Sequence, residues 1–155
     1  MKVIFLDFDG VLNSDEYVRR CGHFGVILNP EKMELLKHLV KETDACIVLS
    51  TSWREHWGLT KQTCDAIGEQ IDRIFRQYAL TIYDKVPHRT YGREKNIQSW
   101  LQAHPDVTTY VVLDDQFLDG KGIRGHFVKT SNLRGGLSEE DVRKAIDILK
   151  GEGHE

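Results

Sequence analysis

The amino-acid sequence predicts an α/β fold built on a parallel sheet of about five strands. Short apolar runs with the length of buried strands alternate with segments in which apolar residues recur at helical spacing. Such alternation implies right-handed crossovers, with helices covering both faces of the sheet and a ligand crevice at the carboxyl ends of the strands. The strand-like runs are residues 3–6, 45–49, 80–83, 110–113 and 127–128.

Three helices are indicated by apolar spacing, and two of them also by caps. Asn29 followed by Pro30 is typical of an N-cap and first helical turn, and the helical spacing continues to about Glu42. Residues 138–141, Ser-Glu-Glu-Asp, resemble a capping box that begins a last helix through about residue 150. Between these two helices, residues 93–103 place their apolar side chains on one helix face.

The segments on either side of the second strand have weaker patterns. Residues 60–77 are predicted to be helical, in two pieces broken near Gly68, whereas residues 53–58 favour neither helix nor strand. Residues 13–28, which follow the first strand, are predicted to form only a loop or flap. This flap would carry Arg19, Arg20 and His23 towards a substrate.

Length and composition are those of a single globular domain spanning residues 1–155. With 21 Lys plus Arg against 24 Asp plus Glu, the formal net charge is -3, so the chain as a whole has no field that attracts polyanions. The three cysteines are an odd number without a CxxC pair, which favours a reducing, cytoplasmic setting. The first apolar run is too short for a signal peptide or a membrane span, so no membrane partner is expected.

A pair of carboxylates follows the first strand. Asp7 and Asp9 stand two residues apart, and side chains at i and i+2 of an extended chain project to the same side. Two like charges held together require a cation, a proton or several donors nearby. A turn containing Gly10 is the alternative interpretation. An EF-hand calcium loop fits poorly, because its fifth and sixth positions would be Val11 and Leu12.

A second pair of carboxylates, Asp114 and Asp115, follows the fourth strand. In the expected crevice the two pairs could meet, and four converging carboxylates require a hard cation. Mg²⁺ is the expected cofactor, because it takes oxygen ligands, keeps several waters and commonly bridges carboxylates to a substrate phosphate. The presence of both pairs makes a coincidental turn the less favoured interpretation.

The two carboxylate pairs and the strands that precede them resemble those of the haloacid dehalogenase-like (HAD) superfamily of phosphohydrolases. The resemblance covers nearly the whole chain and is closest to the HAD domains associated with RNA-repair proteins, the Swiss Army knife group. It implies a three-layer, Rossmann-like HAD core. The matching segments are LDFDGVLN, IVLSTSWR, GREKNIQSWL, VVLDDQ and the late GGLSEED.

The resemblance implies a magnesium-dependent phosphatase in which Asp7 is the nucleophile and forms an aspartyl-phosphate. Asp9 would act as general acid and then as general base, while its backbone carbonyl helps to bind the metal. Mg²⁺ would lie between Asp7, Asp9 and Asp115, with Asp114 beside it. The sequence barely separates Asp114 from Asp115 as the direct ligand, and we favour Asp115.

Further site residues are expected after the second strand and at the start of a helix. Ser50, Thr51 and Ser52 are candidates to bond a phosphoryl oxygen; Ser50 is favoured by its place at the strand end, and at least one of the three is expected to cap the following helix instead. The cation that balances the phosphoryl charge is Arg93 or Lys95. Arg93 lies on the inward helix face and matches the closer family, whereas the wider superfamily more often uses Lys; a solvated helix charge is the alternative for either residue.

A weaker signal comes from the residues that follow the hydroxyl cluster. An aromatic side chain among Trp53, His56 and Trp57 could stack on a base while Arg54 holds a phosphate. Packing of a tryptophan over the sheet edge is an equally good interpretation.

No interval in the sequence is long enough for the separate cap domain that many HAD phosphatases carry. Residues 13–28 hold only the flap, and residues 58–89 are accounted for by helix and the third strand. An open site favours a large phosphorylated substrate, and the resemblance favours a nucleotide or a nucleic-acid end. The alternatives are a catalytically silent HAD-like module that binds phosphate or a partner, and a phosphotransferase. The intact acids Asp7 and Asp9 argue against the silent module, and the sequence leaves the oligomeric state open.

Overall fold

The computed structural model describes residues 1–60, 62–87, 92–118 and 120–151. In these ranges the strands are β1 (Lys2–Leu6), β2 (Cys46–Leu49), β3 (Ile82–Lys85), β4 (Thr109–Asp114) and β5 (Phe127–Lys129). The α-helices are α1 (Asp15–Cys21), α2 (Pro30–Thr43), α3 (Ala66–Gln77), α4 (Arg93–Gln102) and α5 (Glu139–Leu149). Two short 3₁₀ helices span Ser52–His56 and Lys121–Ile123.

The five strands form one parallel sheet in the order β3-β2-β1-β4-β5, which confirms the predicted α/β class. The central strand β1 pairs with β2 on one side and with β4 on the other, so that Leu6 lies level with Leu49 and Leu113. The chain runs outward from β1 to β3 and then returns to the other side of β1. The point between β1 and β4 is therefore the topological switch point, where α/β proteins bind ligands.

Helices cover both faces of the sheet. Alternate residues of β1 enter two separate cores: Ile4 and Leu6 join a core with α2, α3 and α5, while Val3 and Phe5 join a core with α4. In the second core the ring of Phe5 meets that of Trp100 edge-on, with the ring centroids 5.4 Å apart. The result is the predicted three-layer arrangement, and it fixes the carboxyl ends of β1, β2 and β4 side by side.

The predicted flap contains a short helix that the sequence analysis missed. Ser14 caps the N-terminus of α1 by accepting a hydrogen bond from the amide of Tyr17, and Gly22 ends the helix in the left-handed conformation. None of the seven residues of α1 is buried. Without an apolar face, the helix has no periodic signal in the sequence.

The predicted break near Gly68 was wrong, because Gly68 lies inside an unbroken α3. The helix begins at Ala66, after Asp65 has capped it by accepting from the amides of Ile67 and Gly68. A Cβ atom on Gly68 would lie 2.1 Å from the carbonyl oxygen of His56, so glycine is needed there for a close approach between segments. Residues 62–65 precede the helix, and residue 61 of the predicted range lies outside the described residues.

The third strand lies two residues later than predicted. Leu80 is buried but not in the strand, because its amide donates to the carbonyl of Phe75 and closes the end of α3. The left-handed backbone at Ala79, with φ of 57°, then directs the chain into β3. As a consequence, Asp84 and Lys85, which lie beyond the predicted run of residues 80–83, are part of the strand.

No separately folded cap appears in the described part of either interval where one would be inserted. The first interval holds α1 and its loops, and the second, residues 58–89, holds α3 and β3. Residues 61, 88 and 89 of the second interval lie outside the described residues. Among the described helices, none is long and apolar enough to cross a membrane.

Candidate active site

Three carboxylates meet at the switch point between β1 and β4. Asp7 follows β1, Asp114 ends β4 and Asp115 follows it; each offers one oxygen, and these oxygens lie within 4.8 Å of one another. The amide of Asp7 donates to the carbonyl of Leu113, which continues the pairing of the two strands up to the cluster. Asp7 and Asp114 are buried, whereas Asp115 is partly exposed.

Gly10 makes the approach of the two carboxylate pairs possible. Its φ is 81°, and a Cβ atom at this position would lie 2.3 Å from the carboxylate carbon of Asp115. The carbonyl of Gly10 accepts a hydrogen bond of 2.7 Å from the Thr130 hydroxyl, which follows β5. Glycine therefore supplies both the left-handed turn and the space that Asp115 occupies.

Arg93 is the cation at this cluster. It is the first residue of α4, and its Nη1 atom donates to Asp7 Oδ2 at 3.0 Å and to Asp114 Oδ2 at 2.7 Å. Lys95 is exposed. Because helical residues advance by about 100° each, Lys95 faces away from the side of α4 that carries Arg93. Of the two predicted cations, the fold brings Arg93 to the carboxylates and leaves Lys95 outside the site.

Burial and mutual repulsion disfavour the ionised form of the carboxyl groups in this cluster. Burial, followed by the neighbouring charge of Asp114, raises the pKa of Asp7 to about 7 from the ordinary 3.8, even though Arg93 acts in the opposite direction. Burial and Asp114 also raise the pKa of Asp115. One guanidinium does not offset the three acids, so a further cation would be accommodated here.

Asp9 does not join the three-carboxylate cluster. After Asp7 the chain turns instead of staying extended, with the amides of Val11 and Leu12 both donating to the carbonyl of Phe8. The exposed Asp9 carboxylate accepts from Asn13 Nδ2 and from Trp53 Nε1, each at 3.1 Å. The expectation of four converging side-chain carboxylates is therefore corrected to three in the described residues, because the turn directs Asp9 elsewhere.

The three hydroxyl residues after β2 have different environments. Ser50 is fully buried, its amide donates to the carbonyl of Leu6, and its Oγ atom has no hydrogen-bond partner among the described residues. Thr51 instead caps the Ser52–His56 helix by accepting from the amide of Trp53, as expected for at least one of the three. Ser52 is exposed on the first turn of that helix. A buried hydroxyl without a partner costs about 1–3 kcal/mol, and a ligand oxygen would satisfy Ser50.

Arg54, which was expected to hold a substrate phosphate, binds backbone carbonyls of the described residues. Its guanidinium is buried and donates to the carbonyls of Val86, Ser50 and Thr51, at distances of 3.2, 3.5 and 2.8 Å. Burial lowers its pKa. These contacts favour a structural role, in which Arg54 fixes the loop after β2 to the chain that follows β3.

The aromatic residues near Arg54 are held in different ways. The indole of Trp57 is buried and donates to Asp72 at 2.8 Å, and the ring of His56 lies 2.7 Å from Asp65. Trp53 alone among these three contacts a candidate catalytic residue, Asp9. The flap residues Arg19, Arg20 and His23 are exposed.

Sequence reasoning missed Asn13, although it ends the segment LDFDGVLN. Asn13 is buried, accepts from the amide of Gly10 at 3.0 Å, and donates to Asp9 and to the carbonyl of Ile27. The sequence offers only the small signal of a polar residue directly after an apolar pair. Its role depends on the turn that the preceding residues adopt.

Residues 3–142 match the family described as the HAD domain in Swiss Army Knife RNA repair proteins. The chain belongs to this family. The match includes all of the site residues described above, and it places the protein in a superfamily of HAD-type phosphatases. No curated protein and no solved structure matches the chain.

Proposed function

We propose that this HAD-family protein is a magnesium-dependent phosphatase that hydrolyses a phosphomonoester through an aspartyl-phosphate on Asp7. The observation that carries the proposal is the set of three carboxylates within 4.8 Å of one another, two of which, Asp7 and Asp114, bind Arg93. The set lies adjacent to the end of β2. The unpartnered hydroxyl of Ser50 adds a buried donor on a residue whose amide donates to the carbonyl of Leu6, the residue before Asp7. A nucleophile, a cation and a free donor are the groups that phosphoryl transfer requires.

The donor set suits Mg²⁺, which prefers carboxylate and carbonyl oxygens. Asp7 and Asp115 would hold the ion together with the backbone carbonyl of Asp9. Asp114 would be an indirect neighbour, since it is fully buried with its oxygens accepting from Arg93 and from the amide of Gln116, whereas Asp115 is partly exposed. When bound, Mg²⁺ would supply positive charge that favours ionised Asp7 and balances the substrate phosphate.

The protein groups then divide the reaction between them. An Asp7 oxygen attacks phosphorus and forms the aspartyl-phosphate, while the bond to the leaving oxygen breaks and that oxygen takes a proton from Asp9. Ionised Asp9 next removes a proton from water, whose oxygen attacks the phosphorus of the aspartyl-phosphate. The bond between phosphorus and the Asp7 oxygen breaks, which releases inorganic phosphate and restores the Asp7 carboxylate. Arg93 and the Ser50 hydroxyl bind phosphoryl oxygens during both steps.

A nucleotide or a nucleic-acid end is the substrate class that we propose. Two observations support it: the family is named after RNA repair proteins, and the described residues contain no separately folded cap over the site. The exposed carboxylate of Asp9 is compatible with a large substrate.

The test is phosphate release from an aryl phosphate and from 3′- and 5′-phosphorylated nucleotides and oligonucleotides, with Mg²⁺ or EDTA. We expect metal-dependent release that Asp7→Asn lowers by on the order of 10⁴-fold or more, because the nucleophile is lost. Rapid quenching should trap phosphate on Asp7. A folded protein that binds Mg²⁺ but releases no phosphate from any substrate would instead be a binding module.

A further inference from the structure

We propose that Asn13 and Trp53 are positioning residues that hold the Asp9 carboxylate in one place for both of its proton transfers. This inference rests on the proposed function, because it assumes that Asp9 is the general acid and base. Its basis is that each Asp9 oxygen accepts from a different side chain: Oδ1 from Asn13 and Oδ2 from Trp53, both at 3.1 Å.

The Asn13 donor is fixed by the backbone around it. Its Oδ1 atom accepts from the amide of Gly10 at 3.0 Å, and its Nδ2 atom donates to the carbonyl of Ile27 at 2.8 Å. A backbone N–H can only donate and a backbone carbonyl can only accept. The contacts with Gly10 and Ile27 therefore determine that the Nδ2 end of the Asn13 side chain faces Asp9. Asn13 is 4% exposed, so it is well placed to restrain an acid that is itself exposed.

The Trp53 donor comes from the segment that follows β2, 44 residues along the chain from Asp9. Trp53 lies on the Ser52–His56 helix, whose first turn is capped by Thr51. Arg54 ties this helix to the chain that follows β3 through the carbonyl of Val86. The helix that carries the indole is therefore fixed by hydrogen bonds at Thr51 and Arg54. The contact of Trp53 with Asp9 joins the loop after β2 to the turn after β1.

The contacts with Asn13 and Trp53 leave acceptor positions of the Asp9 carboxylate available for proton transfer. A carboxylate has about four acceptor positions, and two remain after Asn13 and Trp53 have donated. One of these can carry the proton for the leaving oxygen, and the same position can later receive the proton from water. Without the two donors, an exposed carboxylate would sample several rotamers, and proton transfer would be less frequent.

The three tryptophans provide an internal comparison. Each indole donates to an aspartate: Trp53 to Asp9, Trp57 to Asp72, and Trp100 to Asp84. Trp57 and Trp100 are buried, and their partners are outside the site, whereas Trp53 donates to a residue that we place in the reaction. The same type of hydrogen bond, from an indole to an aspartate, therefore has a structural role at Trp57 and Trp100 and a positioning role at Trp53.

The first test asks whether the Trp53–Asp9 bond exists in solution. In a protein labelled with ¹⁵N at the indoles, Asp9→Asn should shift the Nε1–H signal of Trp53 while the signals of Trp57 and Trp100 stay in place. An unchanged Trp53 signal would overturn the proposal, whether or not the protein is a phosphatase.

The second test separates proton delivery from general damage. Trp53→Phe should slow hydrolysis of an alkyl phosphate, whose poor leaving group needs a proton, more than that of p-nitrophenyl phosphate, whose leaving group does not. We expect the ratio of kcat on the aryl substrate to kcat on the alkyl substrate to rise about 10-fold, with KM little changed. The matched variant Trp100→Phe should lower stability and leave the ratio unaltered.

The outcomes distinguish the two proposals. Equal losses on both substrates in Trp53→Phe would assign Trp53 a purely structural role and overturn the inference. A wild-type protein without metal-dependent release would overturn the proposed function instead, and the indole signals would still decide whether Trp53 binds Asp9.

Discussion

The two strand ends that flank β1 are stabilised in opposite ways. The acidic centre, formed by Asp7, Asp114, Asp115 and Arg93, contains charged side chains that face one another, and the acids outnumber the cation. In the hydroxyl segment, residues 50–56, the side chains of Thr51 and Arg54 instead bind backbone amides and carbonyls of the described residues. Unbalanced charge indicates a ligand-binding site, whereas hydrogen bonds to the backbone indicate a structural role.

The arginines of the two regions make this contrast specific. Arg93 and Arg54 are both largely buried near Asp7, but Arg93 binds two carboxylates and Arg54 binds carbonyls. Residue type alone does not separate these roles. The difference depends on whether the strand end beside each arginine presents acids or bare backbone.

Among these replacements, that of Arg93 should have the largest effect on kcat. Arg93→Met removes the donor to Asp7 and Asp114, and we expect kcat to fall by about 10²–10³-fold, as when a group that stabilises transition-state charge is lost. Arg93→Lys should recover part of the rate, because it restores the charge without the guanidinium geometry. Steady-state kinetics with Mg²⁺ measures both. Full activity in Arg93→Met would show that Lys95 or another cation performs this role.

The pH dependence of stability should reveal the unbalanced charge of the acidic centre. Folding raises the pKa of Asp7 from 3.8 to about 7, so its stabilisation is complete below the unfolded value and is lost as pH rises through the folded value. In EDTA, the free energy of unfolding of the wild type relative to Asp7→Asn should fall by about 2–3 kcal/mol between about pH 5 and 8.

Denaturant unfolding at several pH values measures this difference. Asp7→Asn is the matched control, since asparagine does not titrate and keeps nearly the same shape. Saturating Mg²⁺ should reduce the pH-dependent loss, because the cation favours the ionised carboxyl. A constant difference between the two proteins across this pH range would mean that Asp7 ionises normally in the fold.

The acidic centre was largely predictable from the sequence, for a physical reason. An apolar run determines where a buried strand ends, and parallel pairing brings neighbouring strand ends level, so Asp7 and Asp114 had to lie close together. The placement of Arg93 followed from the apolar face of its helix. These inferences need only periodicity and strand order.

The hydroxyl segment and the turn at Asp9 were less predictable. The Ser52–His56 helix is too short to show a period, so the backbone contacts of Arg54 had no signal in the sequence. The contact between Asp9 and Trp53 joins residues 44 positions apart through one hydrogen bond. The extended chain assumed for Asp7 and Asp9 failed because the Phe8 carbonyl accepts from two following amides and closes a turn.

The smallest effect on kcat should come from Arg54, whose replacement should lower stability and leave the chemistry unchanged. Arg54→Met leaves the carbonyls of Ser50, Thr51 and Val86 without this donor, and we expect a loss of about 2 kcal/mol in unfolding free energy. KM should change little if Arg54 supports the loop. Thermal unfolding and kinetics on the same sample measure the two quantities.

Ser50→Ala is the matched variant in that segment, and it should behave in the opposite way. The Ser50 hydroxyl has no described partner, so its removal should leave stability unchanged or slightly higher, while kcat falls because a phosphoryl contact is lost. If Arg54→Met instead raised KM at unaltered stability, Arg54 would hold the substrate phosphate, as the sequence first suggested. Arg54 would then be part of the binding surface, and its contrast with Arg93 would disappear.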